Sequence, residues 1–405
     1  MGVIDNFFLQ LVVILFSARV LGELAARFKI PSVIGELLAG ILIGPSLLGL
    51  IEPTETIKLL AEVGIIMLLF EVGLETDLLR LANTGSKPFI VALGGVVAPF
   101  FLGFVVSYYL FNLSLLVSLF MASTLTATSI GITLRVLADL KRQTSDEAQI
   151  VLGAAVLDDI IGIVLLSVLY EFSKGGEIDL WNVVEILIFI CLFLILAPVM
   201  AKLFSFLIKH YEEKSEIPGL IPTTTVSMVL LFAWIAHAVG APALLGGFAA
   251  GLALSRQFFM SLGVSKKARE EFAHKVEKQM SPIIHLFTPI FFVTVGLALN
   301  LRDIDWNSSF IWYFSLSLLF VAIIGKLMSG FLLFKENKWI KWAVGLAMIP
   351  RGEVGLIFAE IGKTNKILDD NIYASIIIVV AVTTVLTPFA MRFFYNYQAK
   401  GAKDS

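Results

Sequence analysis

The sequence predicts an all-α polytopic membrane protein with about thirteen transmembrane helices, and three observations carry that expectation. The 405 residues are 58% hydrophobic and only 15% charged, with a mean hydropathy of +0.92, well above soluble chains. Apolar runs of about 20 residues, the length that crosses a bilayer core, recur along the whole chain. The basic residues gather on alternate loops. A net charge of −2 points away from nucleic acid, and the single cysteine, Cys191, excludes an intrachain disulfide framework. No phosphate-cradling loop, metal-ligand cluster or nucleophile triad occurs, so an enzyme is not expected and neither is a cofactor.

The spans follow in order. Span one, 5–26, lacks the small-residue cleavage site of a signal peptide, and its Arg19 and Glu23 stand four apart, where they can satisfy each other. Span two, 31–50, opens on Pro31. Span three, 57–76, carries Glu71, while Glu75 and Asp77 read as its cytoplasmic end. Span four, 88–111, is apolar throughout, and span five, 113–134, is rich in hydroxyls. Span six, 148–170, holds Asp158 and Asp159; span seven, 181–208, holds Cys191. Spans eight to ten, at 220–239, 242–256 and 281–300, contain His237 and His285, both read as packing residues. Spans eleven to thirteen, at 307–334, 339–362 and 370–395, hold Lys326, then Arg351 and Glu353, then a short basic tail.

With this layout, 22 of the 30 Lys and Arg residues fall on one side and five on the other. The three left over, Arg19, Lys326 and Arg351, lie within spans. The positive-inside rule then places the N-terminus outside and the C-terminus in the cytoplasm.

Two short patterns occur twice. Pro31-x-x-x-Gly35-x-x-x-Ala39-Gly40 in span two returns as Pro242-x-x-x-Gly246-x-x-x-Ala250-Gly251 in span nine. Val72-Gly73-Leu74 in span three returns as Val295-Gly296-Leu297 in span ten. Both pairs are seven spans apart, an odd number, so the copies run in opposite directions through the membrane. Inverted repeats of this kind are a secondary-transporter signature. The repeat sets span five, "STLTATSIGITLR", against span twelve, "AMIPRGEVGLIF". Neither favours a continuous helix: Thr126, Thr128 and Ser129 compete for backbone bonds, and Pro350 and Gly352 interrupt the ladder around Arg351. Broken helices at matching positions of two halves point to a transport site.

A charge at mid-bilayer costs about 2.5–3.5 kcal/mol on insertion scales, so each intramembrane charge needs a reason. Asp158 and Asp159 sit near the centre of span six and, about 100° apart on a helix, cannot share one direction. One can meet a packed neighbour while the other faces a cavity. Two adjacent acids away from bulk water resist carrying two charges at once, which suits one of them to proton exchange. Lys326 needs an anion, for which an aspartate of span six is the economical choice, and Gly325 and Gly330 let its helix approach closely. Arg351 stays protonated and reads as a fixed partner, with Glu353, Glu71 and Glu75 as candidates.

Taken together, these residues resemble the cation:proton antiporter-2 family, with its NapA-like and KefC-type membrane domains. "PSVIGELLAGILIGPSLLG" is similar to the family's early helix and "LLFEVGLE" to its next; "LDDI", Lys326 and the broken spans complete the likeness over nearly the whole chain. The resemblance implies an NhaA-like fold of two inverted five-helix repeats with two broken crossing helices. It implies scaffold and dimerisation helices at 1–80 and 218–300, ion-translocation core helices at 87–172 and 307–397, and a linker helix at 181–210. The core would slide like an elevator against the scaffold of a homodimer in a prokaryotic-type inner membrane, in contact with lipid. Asp159 would bind Na⁺ and H⁺ in competition and Asp158 would pair with Lys326. Thr126, Thr128 and Ser129 would supply oxygens, and Pro350, Arg351, Gly352 and Glu353 would shape the second break.

The implied activity is exchange of Na⁺, with Li⁺ and K⁺ as further monovalent cations, for H⁺, of the electrogenic kind given the Asp158–Lys326 pair. The chain carries no stretch matching the KefC-type regulatory domain, so nucleotide gating of that kind is not expected, and "PRGE" is similar to the electroneutral branch. Alternatives are a K⁺/H⁺ antiporter, a KefC-like K⁺ efflux protein lacking the regulatory domain, and an organic-solute symporter on a similar scaffold. No TVGYG-like filter favours a channel.

Overall fold

The structure, a computed structural model, describes residues 6–28, 31–75, 84–173, 219–255, 266–302 and 304–401, with scattered positions between 181 and 203. Its helices are α1 (Phe7–Arg27), α2 (Ser32–Ile43), α3 (Glu55–Glu75) and α4 (Lys87–Val105), the last continued by a π-helical turn, Val106–Leu110. Then come α5 (Leu115–Thr124), α6 (Ile130–Asp139), α7 (Asp146–Ser173), α8 (Leu220–Ala238) and α9 (Ala243–Leu254). The chain ends with α10 (Lys266–Ala298), α11 (Ser309–Phe331), α12 (Lys338–Ala347), α13 (Glu353–Thr364) and α14 (Asp370–Gly401). No strand occurs among the described residues.

Local chemistry sets several of these boundaries. Asn6 Oδ1 accepts from the amides of Phe8 and Leu9 to start α1, Ser308 caps α11 through Ile311, and Asn337 caps α12 through Ile340. Among the described residues, six helices are long and apolar enough to cross a membrane, by length and composition. The other expected spans correspond to short helices (α2, α9), interrupted ones (α5–α6, α12–α13) or acid-bearing ones (α3, α7). Span seven, with Cys191, and Asp77 lie largely or wholly outside the described residues.

Some expectations are corrected. Helix α10 begins at Lys266, well before the expected 281, because "KKAREEFAHKVEKQM" is a polar helical turn series that an apolar-run reading passes over. Glu23 approaches Arg27 at 3.5 Å, while Arg19 is exposed. His237 and His285 are exposed rather than packed, and His285 Nδ1 lies 3.1 Å from Ser281 Oγ.

The chain divides into two packed units. One comprises Met1–Pro53, Thr84–Asp179 and Phe292–Ser405, and the other Thr54–Asn83 and Leu180–Phe291. The repeat seen in the sequence is built into both. In the first unit, a methyl on Gly40 would overlap the Val293 carbonyl, and one on Gly296 would overlap the Leu37 carbonyl. In the second, Gly251 faces the Phe70 carbonyl in the same way and Gly73 faces the Phe248 carbonyl. Helix α2 thus crosses the C-terminal part of α10 as α9 crosses α3, with only hydrogen atoms between backbones. The N-terminal ends agree too. Gly35 rests on Leu21 and Gly246 on Phe232, and both short helices start at a proline with almost the same dihedrals (φ −52°, ψ 134° at Pro31; φ −57°, ψ 133° at Pro242).

Because backbone atoms oppose these glycines, the chain has little room to yield. Gly40→Ala and Gly251→Ala should each lower stability by about 1–3 kcal/mol, the range for overpacking. Leu38→Ala, on the exposed side of α2, should stay within about 0.5 kcal/mol. Thermal unfolding in detergent checks the contrast; equal effects at the three positions would contradict the close crossing.

Candidate ion-binding site

The site is built where two helices stop and restart. Between α5 and α6 the chain leaves the helix at 125–129, and between α12 and α13 at 348–352. Each half-helix has only 10–12 residues, roughly 15–18 Å of axial length and about half a hydrocarbon core. The breaks therefore fall at membrane depth. Non-helical backbone there must be satisfied by protein or by a lined cavity, and the two breaks satisfy each other. The Ser129 amide donates to the Pro350 carbonyl at 2.8 Å. The Thr133 hydroxyl donates to Ala347 O at 2.6 Å, and that of Thr128 to Met348 O at 3.4 Å. Gly352 lies so close to Ser129 that a methyl there would meet its Oγ at 2.5 Å. Neither Ser129 nor Gly352 caps the following helix with a side chain, so the N-terminal ends of α6 and α13, with their partial positive charge, converge with the C-terminal ends of α5 and α12.

Arg351 ties this crossing to its surroundings. It is 1% exposed, and donates through Nη1 to Ala127 O at 2.6 Å and through Nη2 to Ala322 O at 3.3 Å. Its own carbonyl accepts from the Thr384 hydroxyl of α14. One residue thus ties both breaks to α11 through its side chain and to α14 through its carbonyl. The described partners of the Arg351 side chain are backbone carbonyls. Ala127 O is an acceptor that the first break leaves unpaired, whereas Ala322 O lies within α11. The side chains of Glu353 and Glu75 lie outside the described residues.

Helix α7 packs against all four half-helices and brings the aspartate pair to them. Lys326, 0% exposed, places Nζ 2.9 Å from Asp158 Oδ2, with both side chains fully enclosed. Gly95 of α4 makes the room: a methyl there would stand 3.3 Å from Lys326 Nζ. Gly325 in turn lets α11 press onto Pro99 of α4. Asp159 is also buried, at 4% against 1% for Asp158. Lys326 lies within the electrostatic reach of Asp158, Arg351 and Asp159, and Arg351 within that of Asp158. Two acids and two bases balance in one enclosed volume.

Thr126, Thr128 and Ser129 are all buried in the first break. The Thr126 hydroxyl donates to Ser123 O at 2.8 Å. A hydroxyl that donates to a carbonyl keeps oxygen lone pairs for a hard cation. Gly95, Thr133, Thr384 and the carbonyls of Ala127 and Ala322 were not singled out from sequence. Thr133 and Thr384 are polar residues in apolar spans and could have been; the carbonyls carry no side-chain signal.

Comparison with known proteins covers the same ground. The family described as sodium/hydrogen exchanger, transmembrane, matches residues 12–395. The high-affinity Na⁺/H⁺ antiporter NhaS3 of Synechocystis is 34% identical, with 96% of this chain and 90% of that protein aligned. The Na⁺/H⁺-K⁺ antiporter GerN of Bacillus cereus is 32% identical over 99% of both. Among solved structures, the sodium proton antiporter MjNhaP1 from Methanocaldococcus jannaschii superposes with a TM-score of 0.73 at 18% identity, over 96% of this chain and 97% of that one, a likeness of fold. With a family match over nearly its whole length and relatives above 30% identity end to end, the chain belongs to the sodium/hydrogen exchanger family.

Proposed function

We propose that the protein is a secondary active antiporter that exchanges Na⁺ for H⁺, with cation and proton competing at Asp159. The observation that carries this reading is the enclosed group of Asp158, Asp159, Lys326 and Arg351 beside two interrupted helices. Asp158 is engaged by Lys326, and the adjacent Asp159, buried beside the 125–129 break, is assigned the transported ion. A sodium ion there would find hard oxygen ligands in the carboxylate and in the hydroxyls and carbonyls of the 125–129 break. Replacing H⁺ by Na⁺ on one carboxylate keeps the local charge constant, so the enclosed volume can cross between faces in either loaded form.

In this reading the core bearing the broken helices slides against the scaffold within a homodimer, and the basic-loop face is cytoplasmic. The cycle is electrogenic if Lys326 also gives up its proton, two protons then moving per Na⁺. One net charge moved through 100 mV yields about 2.3 kcal/mol, and each proton adds about 1.4 kcal/mol per pH unit. Li⁺ fits the same oxygen set. K⁺ is the second reading for the cargo, favoured by the relative named as a Na⁺/H⁺-K⁺ antiporter.

Exchange in proteoliposomes with Na⁺, Li⁺ and K⁺ under a valinomycin-clamped potential tests this. Asp159→Asn should abolish exchange while the protein still inserts and dimerises; wild-type turnover would reject the assignment. Competition at one carboxylate also fixes a sign with pH. As pH falls, the apparent KM for Na⁺ should rise, by up to about tenfold per unit for one competing proton, and a pH-independent KM would contradict it. Lys326→Ala leaves Asp158 buried and unpaired, so stability should fall by about 3–5 kcal/mol, the cost of breaking a buried pair. The rate should also lose its response to membrane potential. Unchanged stability and voltage response would show that Asp158 relies on another partner.

A further inference from the structure

At the basic-loop end of the molecule, α2 is fastened to α6 by a polar cluster away from the ion site. Helix α2 starts at Pro31, which offers no side-chain cap. Its first amide, that of Ser32, donates instead to Asp139 Oδ2 at 2.9 Å, and the Ser32 hydroxyl donates to the same oxygen at 3.2 Å. An acid from α6 thus supplies the N-terminal cap of α2 across 107 residues, where negative charge suits the helix dipole. Arg135, one turn before Asp139, completes the group. Its Nη2 donates to Ser32 Oγ at 3.2 Å and lies 3.9 Å from Glu36 Oε1, and its Nε is 3.6 Å from Asp139 Oδ1. Glu36 is 4% exposed and is accommodated beside Gly22 of α1.

The inverted repeat supplies the second observation. An offset of 211 residues takes Ser32 and Glu36 to Ala243 and Gly247, and an offset of 223 takes Arg135 and Asp139 to Phe358 and Gly362. None of those four positions carries a hydroxyl or a charge. The repeats make the two ends equivalent in topology, but the positions matching the cluster carry none of its polar groups.

We infer that Ser32, Glu36, Arg135 and Asp139 form a latch that holds α2 on α6 and biases the transporter toward the state closed at its basic-loop face. This rests on the sliding core–scaffold reading above, in which α2 belongs to the scaffold and α6 to the core. In the present structure α2 falls in the same packed unit as α6, and these bonds are among what joins them. Opening that face requires breaking them, and the repeat-related positions at the other face offer no hydroxyl or charge in exchange.

The latch fixes how affinity is divided between the faces, because apparent affinity scales with the fraction of molecules open to that side. In oriented proteoliposomes, Asp139→Asn should lower the apparent Na⁺ KM at the basic-loop face by about fivefold, as for a shift from one-tenth to one-half open, and raise it less than twofold at the other. A second variant keeps the sliding reading separately testable: Ser32→Cys with Asp139→Cys, in a Cys191→Ser background, closes the latch covalently on oxidation. Exchange should stop when cross-linked and return on reduction. If the cross-link traps the protein but Asp139→Asn leaves KM unchanged at both faces, the latch is wrong and the sliding stands. If the cross-linked protein exchanges at the reduced rate, α2 and α6 do not separate, and both fall.

Discussion

Four formal charges lie where a bilayer provides no water, and the polypeptide has to solvate them itself. Lys326 and Asp158 do this for each other at 2.9 Å, while Arg351 spends its donors on the carbonyls of Ala127 and Ala322. That requirement propagates outward. Lys326 can reach Asp158 only because Gly95 leaves space beside Nζ and Gly325 lets α11 close on α4. Arg351 is met in part by the Ala127 carbonyl, an acceptor that a continuous helix would have used internally. The broken helices and the buried charges are therefore one arrangement, each making the other tolerable. A buried pair is not in itself a source of stability, and its retention at this place fits the exchange proposed for Asp159.

Around this centre the repeat works as construction. Glycines at matching places in α2, α3, α9 and α10 let backbones cross within each packed unit, and the two breaks meet with the Ser129–Pro350 bond at the crossing. Symmetry of backbone does not extend to every side chain. Arg351 falls opposite Thr128, and Asp139 opposite Gly362, so each of these two charges is furnished by one repeat alone. A transporter built from two inverted copies would otherwise have no preference between its faces.

Much of the fold was legible because lipid allows few solutions. Apolar runs, alternate basic loops and the Pro31 and Pro242 patterns located the helices, and the residues that interrupt two of them were visible as hydroxyls in one and as Pro350 with Gly352 in the other. The aspartate pair and Lys326 stood out as charges without water. The charged start of α10 did not, since helical periodicity in a polar segment leaves no mark on hydropathy. The Ala127 carbonyl that accepts from Arg351, freed by a break 224 residues away in sequence, cannot be read from side-chain identity. The enclosure of Asp159 was hidden for a similar reason: which groups cover it depends on how half-helices pack, not on the order of residues.

The central claim is that sodium and a proton occupy the same carboxyl in turn. The most direct measurement is the number of protons released when Na⁺ is added to purified protein in weakly buffered detergent solution, alongside the Na⁺ bound by calorimetry. The account predicts that each Na⁺ bound expels at least one proton, and that Asp159→Asn loses binding and release together. Sodium binding of undiminished affinity with no proton released would contradict it.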